Sequence, residues 1–320
     1  MIWSFVAIGA VAALSVKGPG VLRHATSNRD PGPRVELTLW VGASVVWLLS
    51  CIALVLVAAA ELLGPSLKGI VSTCVSLYQA VESHGSGAMV AVGAALLLGL
   101  FAAGRLVWTG LLRGRAGRSW RRGHARELNE GAVPRVLHGH QVWLVPSPRP
   151  EAYCVPGNGG RIVITSGALE VLTPRQAHAV LEHERAHLDG GHHLLVGWVR
   201  LLDKAFPRVP LLRAAAERVP VLVEWAADDR AVRRVGVGPL AHALGRFAGS
   251  DGASDTVALS IGGACPVERV RRHLTPAPRC SRAPALGRAV SAGLVVVAPL
   301  AFTIAMTMTS AIVPPCYCPV

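Results

Sequence analysis

Leu181-Glu182-His183-Glu184-Arg185-Ala186-His187-Leu188 writes the H-E-x-x-H pattern inside a segment that reads as helix. Two imidazoles four residues apart project from one helix face, about one turn from each other, so a single divalent metal can bridge them. Glu184 stands beside that metal without having to ligate it. From there a carboxylate can take a proton from an attacking water, the step that metal-dependent peptide hydrolysis requires. The helix has a start and a stop. Thr173-Pro174-Arg175-Gln176 has capping-box spacing with proline at the first helical position, and Gly190-Gly191 ends the run.

A zinc ion on two histidines needs one more protein ligand and keeps its fourth position for water. Downstream, residues 220–235 read as a second helix stopped by Gly236, and Glu224 and Asp228 share one face of it. Glu224 has the chemistry of the third ligand, and Asp228 is placed to accept the second ring N–H of a ligating histidine. An alternative metal ligand is His193, which completes the longer H-E-x-x-H-x-x-G-x-x-H spelling through Gly190. That class also needs a methionine turn beneath the metal. Downstream of the motif the methionines are Met306 and Met308, in an apolar stretch, so Glu224 is preferred. His192 and His193 together read as a solvated pair at a glycine-loosened helix end. The expected cofactor is one Zn2+ per chain, and no other cofactor is expected. For the oxyanion the candidates are His242 and Arg230, by their place after or within the second helix.

The hydrophobic fraction of the 320 residues is 52%, more than an ordinary soluble domain carries. Four apolar stretches, residues 1–16, 37–60, 85–104 and 289–315, read as transmembrane helices. The first lacks the basic leader of a signal peptide. Between them lie a loop at 17–36, a loop at 61–84, a metallopeptidase domain at 113–288 and a tail at 316–320. Charge orients them. The first loop holds Lys17, Arg23, Arg29 and Arg34, the second only Lys68 against Glu61 and Glu82. Arginines also crowd the segment from Arg105 to Arg126 and the segment carrying Arg269, Arg271, Arg272, Arg279, Arg282 and Arg288. The positive-inside bias puts these in the cytoplasm with the zinc domain, and puts 61–84, 316–320 and both termini outside.

A formal net charge of +13 raises the question of nucleic acid. The arginines cluster at ends of apolar helices, with neither a zinc-finger nor a stacking-aromatic pattern, so anionic membrane lipid is the expected partner and no direct nucleic-acid binding is expected. Cys154, Cys265 and Cys280 fall in the cytoplasmic region and should be reduced, whereas Cys74, Cys316 and Cys318 fall outside, where one disulfide can form. Lysine is confined to Lys17, Lys68 and Lys204 among many arginines and alanines, which points to a GC-rich bacterial source.

Within residues 113–288 the order is strands, then helices, an α+β arrangement. Residues 142–145, 152–155 and 161–166 are short β-type runs, the last two joined through Pro156-Gly157-Asn158-Gly159-Gly160. Ile162-Val163-Ile164-Thr165 reads either as an edge strand that holds an extended substrate along the metal cleft or as a core strand. Residues 194–206 are amphipathic, and residues 249–263, rich in Gly, Ser and Asp, read as a mobile stretch.

Taken together, Ala152-Tyr153-Cys154-Val155-Pro156-Gly157, the run from Arg161 to Leu169 and the motif helix resemble the BlaR/MecR-type membrane zinc metallopeptidases. Glu224-x-x-Ala227-Asp228 looks like the glutamate motif those proteins share with the HtpX and CAAX-protease type. The resemblance covers most of the chain. It implies a gluzincin: His183, His187 and Glu224 on zinc, Glu184 as general base, Asp228 behind the ligands. The expected architecture is a mainly α membrane protein with four transmembrane helices and a cytoplasmic α+β zincin-like domain between helices 3 and 4. The antibiotic sensors of that family continue into an extracellular penicillin-binding domain, which the short tail here does not supply. The implied function is regulatory proteolysis in signal transduction, with a BlaI/MecI-type cytoplasmic transcriptional repressor as protein substrate. The alternatives are an HtpX-like quality-control protease of the cell membrane and a non-catalytic scaffold with a structural zinc. Against the scaffold stands Glu184, which a structural site does not need.

Overall fold

The computed structural model describes residues 2–26, 32–63, 93–94, 97–117, parts of 119–131, residues 132–157, 160–249, 265–275 and parts of 287–301. Residues 250–263, Cys74, Cys280, Cys316, Cys318, the 61–84 loop beyond Leu63, residues 85–92 and the last expected helix beyond 301 lie outside the described residues, as does the tail.

Helix α1 spans Ile2–Thr26 and α2 spans Gly32–Leu63. The expected end of the first helix at residue 16 is therefore overtaken, and much of the expected 17–36 loop is helical. The cause is tertiary packing. Leu14, Gly18, Leu22 and Ala25 repeat at helical spacing and are buried, while Lys17 and Arg23 point to the exposed side. Among the described residues one helical span, Gly32–Val55, is long and apolar enough to cross a membrane. Trp40 and Trp47 turn inward from it. Val45, Leu49 and Ile52 stay exposed on it, as do Leu97, Leu98, Leu100 and Phe101 on the helical stretch over residues 97–117.

The sheet has four strands, β1 Val133–Leu137, β2 His140–Val145, β3 Ala152–Val155 and β4 Arg161–Thr165, in the order β1-β2-β4-β3. β1 and β2 form an antiparallel hairpin whose two turn residues, His138 and Gly139, both have positive φ (49° and 81°), as a two-residue hairpin turn of the right twist demands. β2 pairs parallel with β4, and β4 antiparallel with β3. Ile162 to Thr165 are all buried, so β4 is a core strand, and β1 and β3 are the edges. β1 escapes a reading by pattern because Pro134 breaks its run. An outer strand tolerates that proline, since the missing N–H can face away from the ladder.

Helix α3, Ser166–Val171, follows β4 directly, with the Thr165 side chain accepting from Ala168 N. Then come α4 Pro174–Asp189, α5 His192–Ala205, α6 Pro210–Val235, α7 Val237–Ala248 and α8 Pro266–Leu274. The capping box that starts α4 is formed in both directions: Gln176 N donates to Thr173 Oγ1 at 3.4 Å and Thr173 N donates to Gln176 Oε1 at 2.9 Å. α6 begins ten residues before the expected start at Pro220, which sits inside it. Pro220 removes one backbone donor, but Leu211, Leu212, Ala215, Val219 and Leu222 bury a continuous stripe across it.

Two cores result. One joins the sheet to α3 and α4 through Val142, Ile162, Ile164, Ala168, Val180 and Leu181. The other joins α1 and α2 to α5 and α6 through Leu22, Trp40, Trp47, Val199, Leu202, Leu211 and Leu222. Trp47 Nε1 donates to Ser15 Oγ at 2.7 Å, and its ring meets Phe206 edge-on at 5.4 Å between centroids. At the same junction the buried Glu36 accepts from Arg218 Nε at 2.7 Å and from Nη2 at 3.2 Å.

Arg218→Met should therefore strand the Glu36 carboxylate in an apolar junction and lower stability by on the order of 3 kcal/mol, with Glu36→Leu in the same chain restoring most of it. Thermal unfolding of the detergent-solubilised protein measures both. An unchanged melting temperature in Arg218→Met would remove this pair from the account of the junction.

Candidate metal centre

Helices α4 and α6 meet face to face, and the meeting point carries the chemistry. α4 presents His183 and His187 one turn apart; α6 presents Glu224 and Asp228 one turn apart. The Nε2 atoms of the two histidines are 3.0 Å apart, and each lies 3.4 Å from a Glu224 carboxylate oxygen, His183 from Oε2 and His187 from Oε1. These three residues bring one donor atom each within 4.8 Å of one another. Ligands about 2.0–2.1 Å from a tetrahedral zinc sit about 3.3 Å from each other, so the donor set fits that ion.

The other ring nitrogens are held from behind. His183 Nδ1 is 3.0 Å from Asp228 Oδ1, the contact that fixes a tautomer and frees Nε2. His187 Nδ1 lies 3.0 Å from Nδ1 of His192, the first residue of α5. His192 is buried, contrary to its reading as a solvated residue, whereas His193 is exposed and belongs to no metal-capable cluster among the described residues. The chain makes this turn through Gly191 at φ 57° and Gly190. A Cβ on Gly190 would lie 2.4 Å from His192 Nε2, so a side chain there would displace the buried His192 ring.

Arg269 is the residue that pattern did not find. Its place in the sequence groups it with the charges flanking a membrane helix, but α8 turns it inward, where its side chain is 11% exposed. Arg269 Nε donates to Asp228 Oδ2 at 2.8 Å, Nη2 donates to Oδ1, and Nη1 is 3.3 Å from Glu224 Oε2. Next to it Arg272 donates through both Nη atoms to Asp229, at 2.7 and 3.1 Å. Asp228 has no exposed surface, so its charge requires such a partner. Arg230 and His242 lie elsewhere. Arg230 pairs with Asp189 at 2.7 Å, and His242 Nδ1 bonds Gly238 O in its own helix at 2.8 Å.

Electrostatics follow from this packing. Burial opposes protonation of His183, but hydrogen bonds to Asp228 and Glu224 outweigh it and carry its pKa up to about 10. Burial and the charge of His183 bring His187 down to about 3. For Glu224 burial works upward, yet the hydrogen bond and charge of His183, with His187 and Arg269, hold it down at about 2. Asp228 likewise stays well below the usual carboxylate range, because Arg269 and His183 overcome its burial. Glu184 goes the other way. Burial pushes its carboxyl up to about 7, opposed by His183 and helped by Glu224, and the Cys154 thiol of β3 faces it. An edge strand thus runs beside Glu184, and it is β3 rather than β4.

Residues 126–207 match peptidase family M48, a stretch that includes the sheet, α3, α4 and α5. No curated protein and no solved structure matches the chain. The match supports a metallopeptidase, a class that is typically zinc-dependent; of the groups able to hold that metal, His183 and His187 fall within the matched stretch and Glu224 lies beyond it. It does not single out the BlaR/MecR group.

A pKa of about 7 against an ordinary 4.5 makes folding of the metal-free protein less favourable once Glu184 must ionise. For this acid the folded value is the higher one, so its contribution is full below 4.5 and lost as pH rises to about 7. Glu184→Gln should accordingly gain melting temperature relative to metal-free wild type across that window and hold a constant difference above it. Parallel melting curves at every pH would show that Glu184 is not desolvated.

Proposed function

We propose that the chain is an integral-membrane zinc metalloendopeptidase that hydrolyses peptide bonds on the cytoplasmic side of the membrane. The observation that carries this reading is the convergence of His183, His187 and Glu224 with Glu184 one residue from the first of them. His183, His187 and Glu224 hold the metal; Asp228 orients His183 and is itself neutralised by Arg269. Zinc held there supplies Lewis acidity, which lowers the pKa of water and polarises a carbonyl. Glu184 takes the proton of the attacking water and passes it to the leaving nitrogen, and its raised pKa suits both transfers near neutral pH. An extended substrate adds to the open edge of β3, which orients its backbone past Glu184. Arg269, already engaged by two carboxylates, serves as a positioning residue.

The membrane setting rests on the apolar span in α2 and on the exposed apolar side chains of α2 and of residues 97–117, which water would penalise. The four-span topology, the anionic lipid contacts and the cytoplasmic side rest on apolar stretches and arginine placement in the sequence. By resemblance the substrate is a transcriptional repressor of the BlaI/MecI type, whose cleavage would release a regulon. The match to a peptidase family rather than to the sensors favours one second reading, an HtpX-like quality-control protease.

Glu184→Gln should cut proteolysis by on the order of a hundredfold or more while zinc content and membrane insertion remain. In parallel, His187→Ala and Glu224→Ala should each lose one zinc equivalent, His193→Ala none, and Asp228→Asn should weaken zinc affinity about 10–100-fold. Wild-type cleavage by Glu184→Gln sinks the base assignment and favours a scaffold; loss of metal in His193→Ala alone sinks the ligand set.

Topology decides which substrates meet the metal. A membrane-impermeant thiol reagent on intact cells should label Cys318 and miss Cys154 and Cys265. The reverse labelling would put the site outside the cell, out of reach of a cytoplasmic repressor.

A further inference from the structure

A second cluster of metal-binding side chains lies on the opposite flank of the same helix. Positions 178 and 182 stand about 140° around α4 from positions 183 and 187, at 100° per residue, so they face the β1–β2 hairpin and the Arg230 end of α6 rather than Glu224. There Glu182 and His178, one turn apart on α4, meet His140 at the start of β2. His140 Nε2 is 3.2 Å from Glu182 Oε1, and His178 Nε2 is 3.8 Å from the same oxygen. Three donor atoms again fall within 4.8 Å of one another. Around a tetrahedral ion with bonds of about 2.0–2.1 Å, ligand atoms stand about 3.3 Å apart, close to both distances.

Two further observations point to a ligand. Glu182 is 8% exposed, and its Oε2 makes no hydrogen bond, with Arg230 Nε 3.5 Å away. A buried carboxylate this sparsely served is costly for a protein to keep. His138 supplies the other. It sits in the β1–β2 turn and lays its ring flat on His178, with centroids 4.9 Å apart and planes 7° from parallel. A third imidazole is thereby kept at the rim of the cluster.

We propose that His140, His178 and Glu182 form a second metal site, for a divalent transition ion of the zinc class, with its fourth position taken by water or by His138. Two imidazoles and a carboxylate select zinc-like ions over calcium or magnesium, which require oxygen ligands. Bound there, the ion would tie the β1–β2 hairpin to α4 one residue before His183, so it stiffens the helix that presents the metal centre. Its chemistry is structural, and it does not depend on the peptidase reading.

The experiment is a zinc count on the full chain purified in detergent and loaded with zinc alone, with melting temperature confirming that each variant is folded. Wild type should hold two equivalents, and His140→Ala/His178→Ala should hold one. His187→Ala/Glu224→Ala removes the first centre and should leave one equivalent, lost when His178→Gln is added. The gentler His178→Gln alone should also fall from two to one. Cobalt in the His187→Ala/Glu224→Ala background should give the visible absorption of a four-coordinate site. One equivalent in wild type that His178→Gln leaves untouched, or no metal in the His187→Ala/Glu224→Ala chain while it remains folded, overturns the site and reduces the cluster to hydrogen bonds around Glu182. Failure at His187 and Glu224 instead, with metal still lost through His178, would count against the first centre alone.

Discussion

Asp228 is wholly buried, and the two groups that make its burial tolerable set the geometry of everything around it. His183 Nδ1 approaches one carboxylate oxygen and Arg269 embraces both. An unpaired carboxylate at this depth would cost several kcal/mol, so α4, α6 and α8 must keep the register in which all three side chains meet. That register carries Glu224, one turn earlier on α6, to the paired Nε2 atoms of His183 and His187. The geometry of the candidate metal centre thus rests on a charge-neutralisation problem solved behind it. It also explains why an arginine and not a lysine stands at 269: three nitrogens of one planar group serve Asp228 and Glu224 together.

α6 links this chemistry to the apolar part of the chain. Its C-terminal half carries Glu224 and Asp228, and its N-terminal half shares a core with α1 and α2. Trp40 and Trp47 reach out of the span-length helix into that core, and Glu36 closes it against Arg218. Interiors packed at this density transmit displacement along a helix rather than absorbing it. The position of α2 and the position of Glu224 are therefore related through one helix, in which Pro220 removes a backbone donor.

α4 is in turn shared by the sheet, α5, α6 and α7. Its sheet-facing residues Val180 and Leu181 belong to the core with Ile162 and Ile164; its other side meets α6 and, past Gly190-Gly191, α5. Gly191 at positive φ lets α5 start at once, so His192 returns to His187 while His193 swings outward. A single-residue difference in helical phase separates a buried imidazole from an exposed one. Glu182 and His183 differ in the same way, adjacent in the chain yet directed toward different clusters.

The sequence alone determined what local rules govern. The capping box at Thr173 to Gln176, the i, i+4 histidines, the shared face of Glu224 and Asp228 and the β-runs at 152–155 and 161–165 depend on spacings within one element, and a periodicity of 3.6 or 2 exposes them. Tertiary structure decided which elements meet. Nothing local distinguishes Arg269 from Arg271 or His192 from His193; the difference lies in which side of a helix faces a neighbour folded from a distant segment. Helix lengths were decided there as well. α1 passes Lys17 and α6 passes Pro220 because burial against other helices outweighs the local signals that mark an end. Pro134 hid β1, and the parallel pairing of β2 with β4 is a crossover that no short-range pattern encodes.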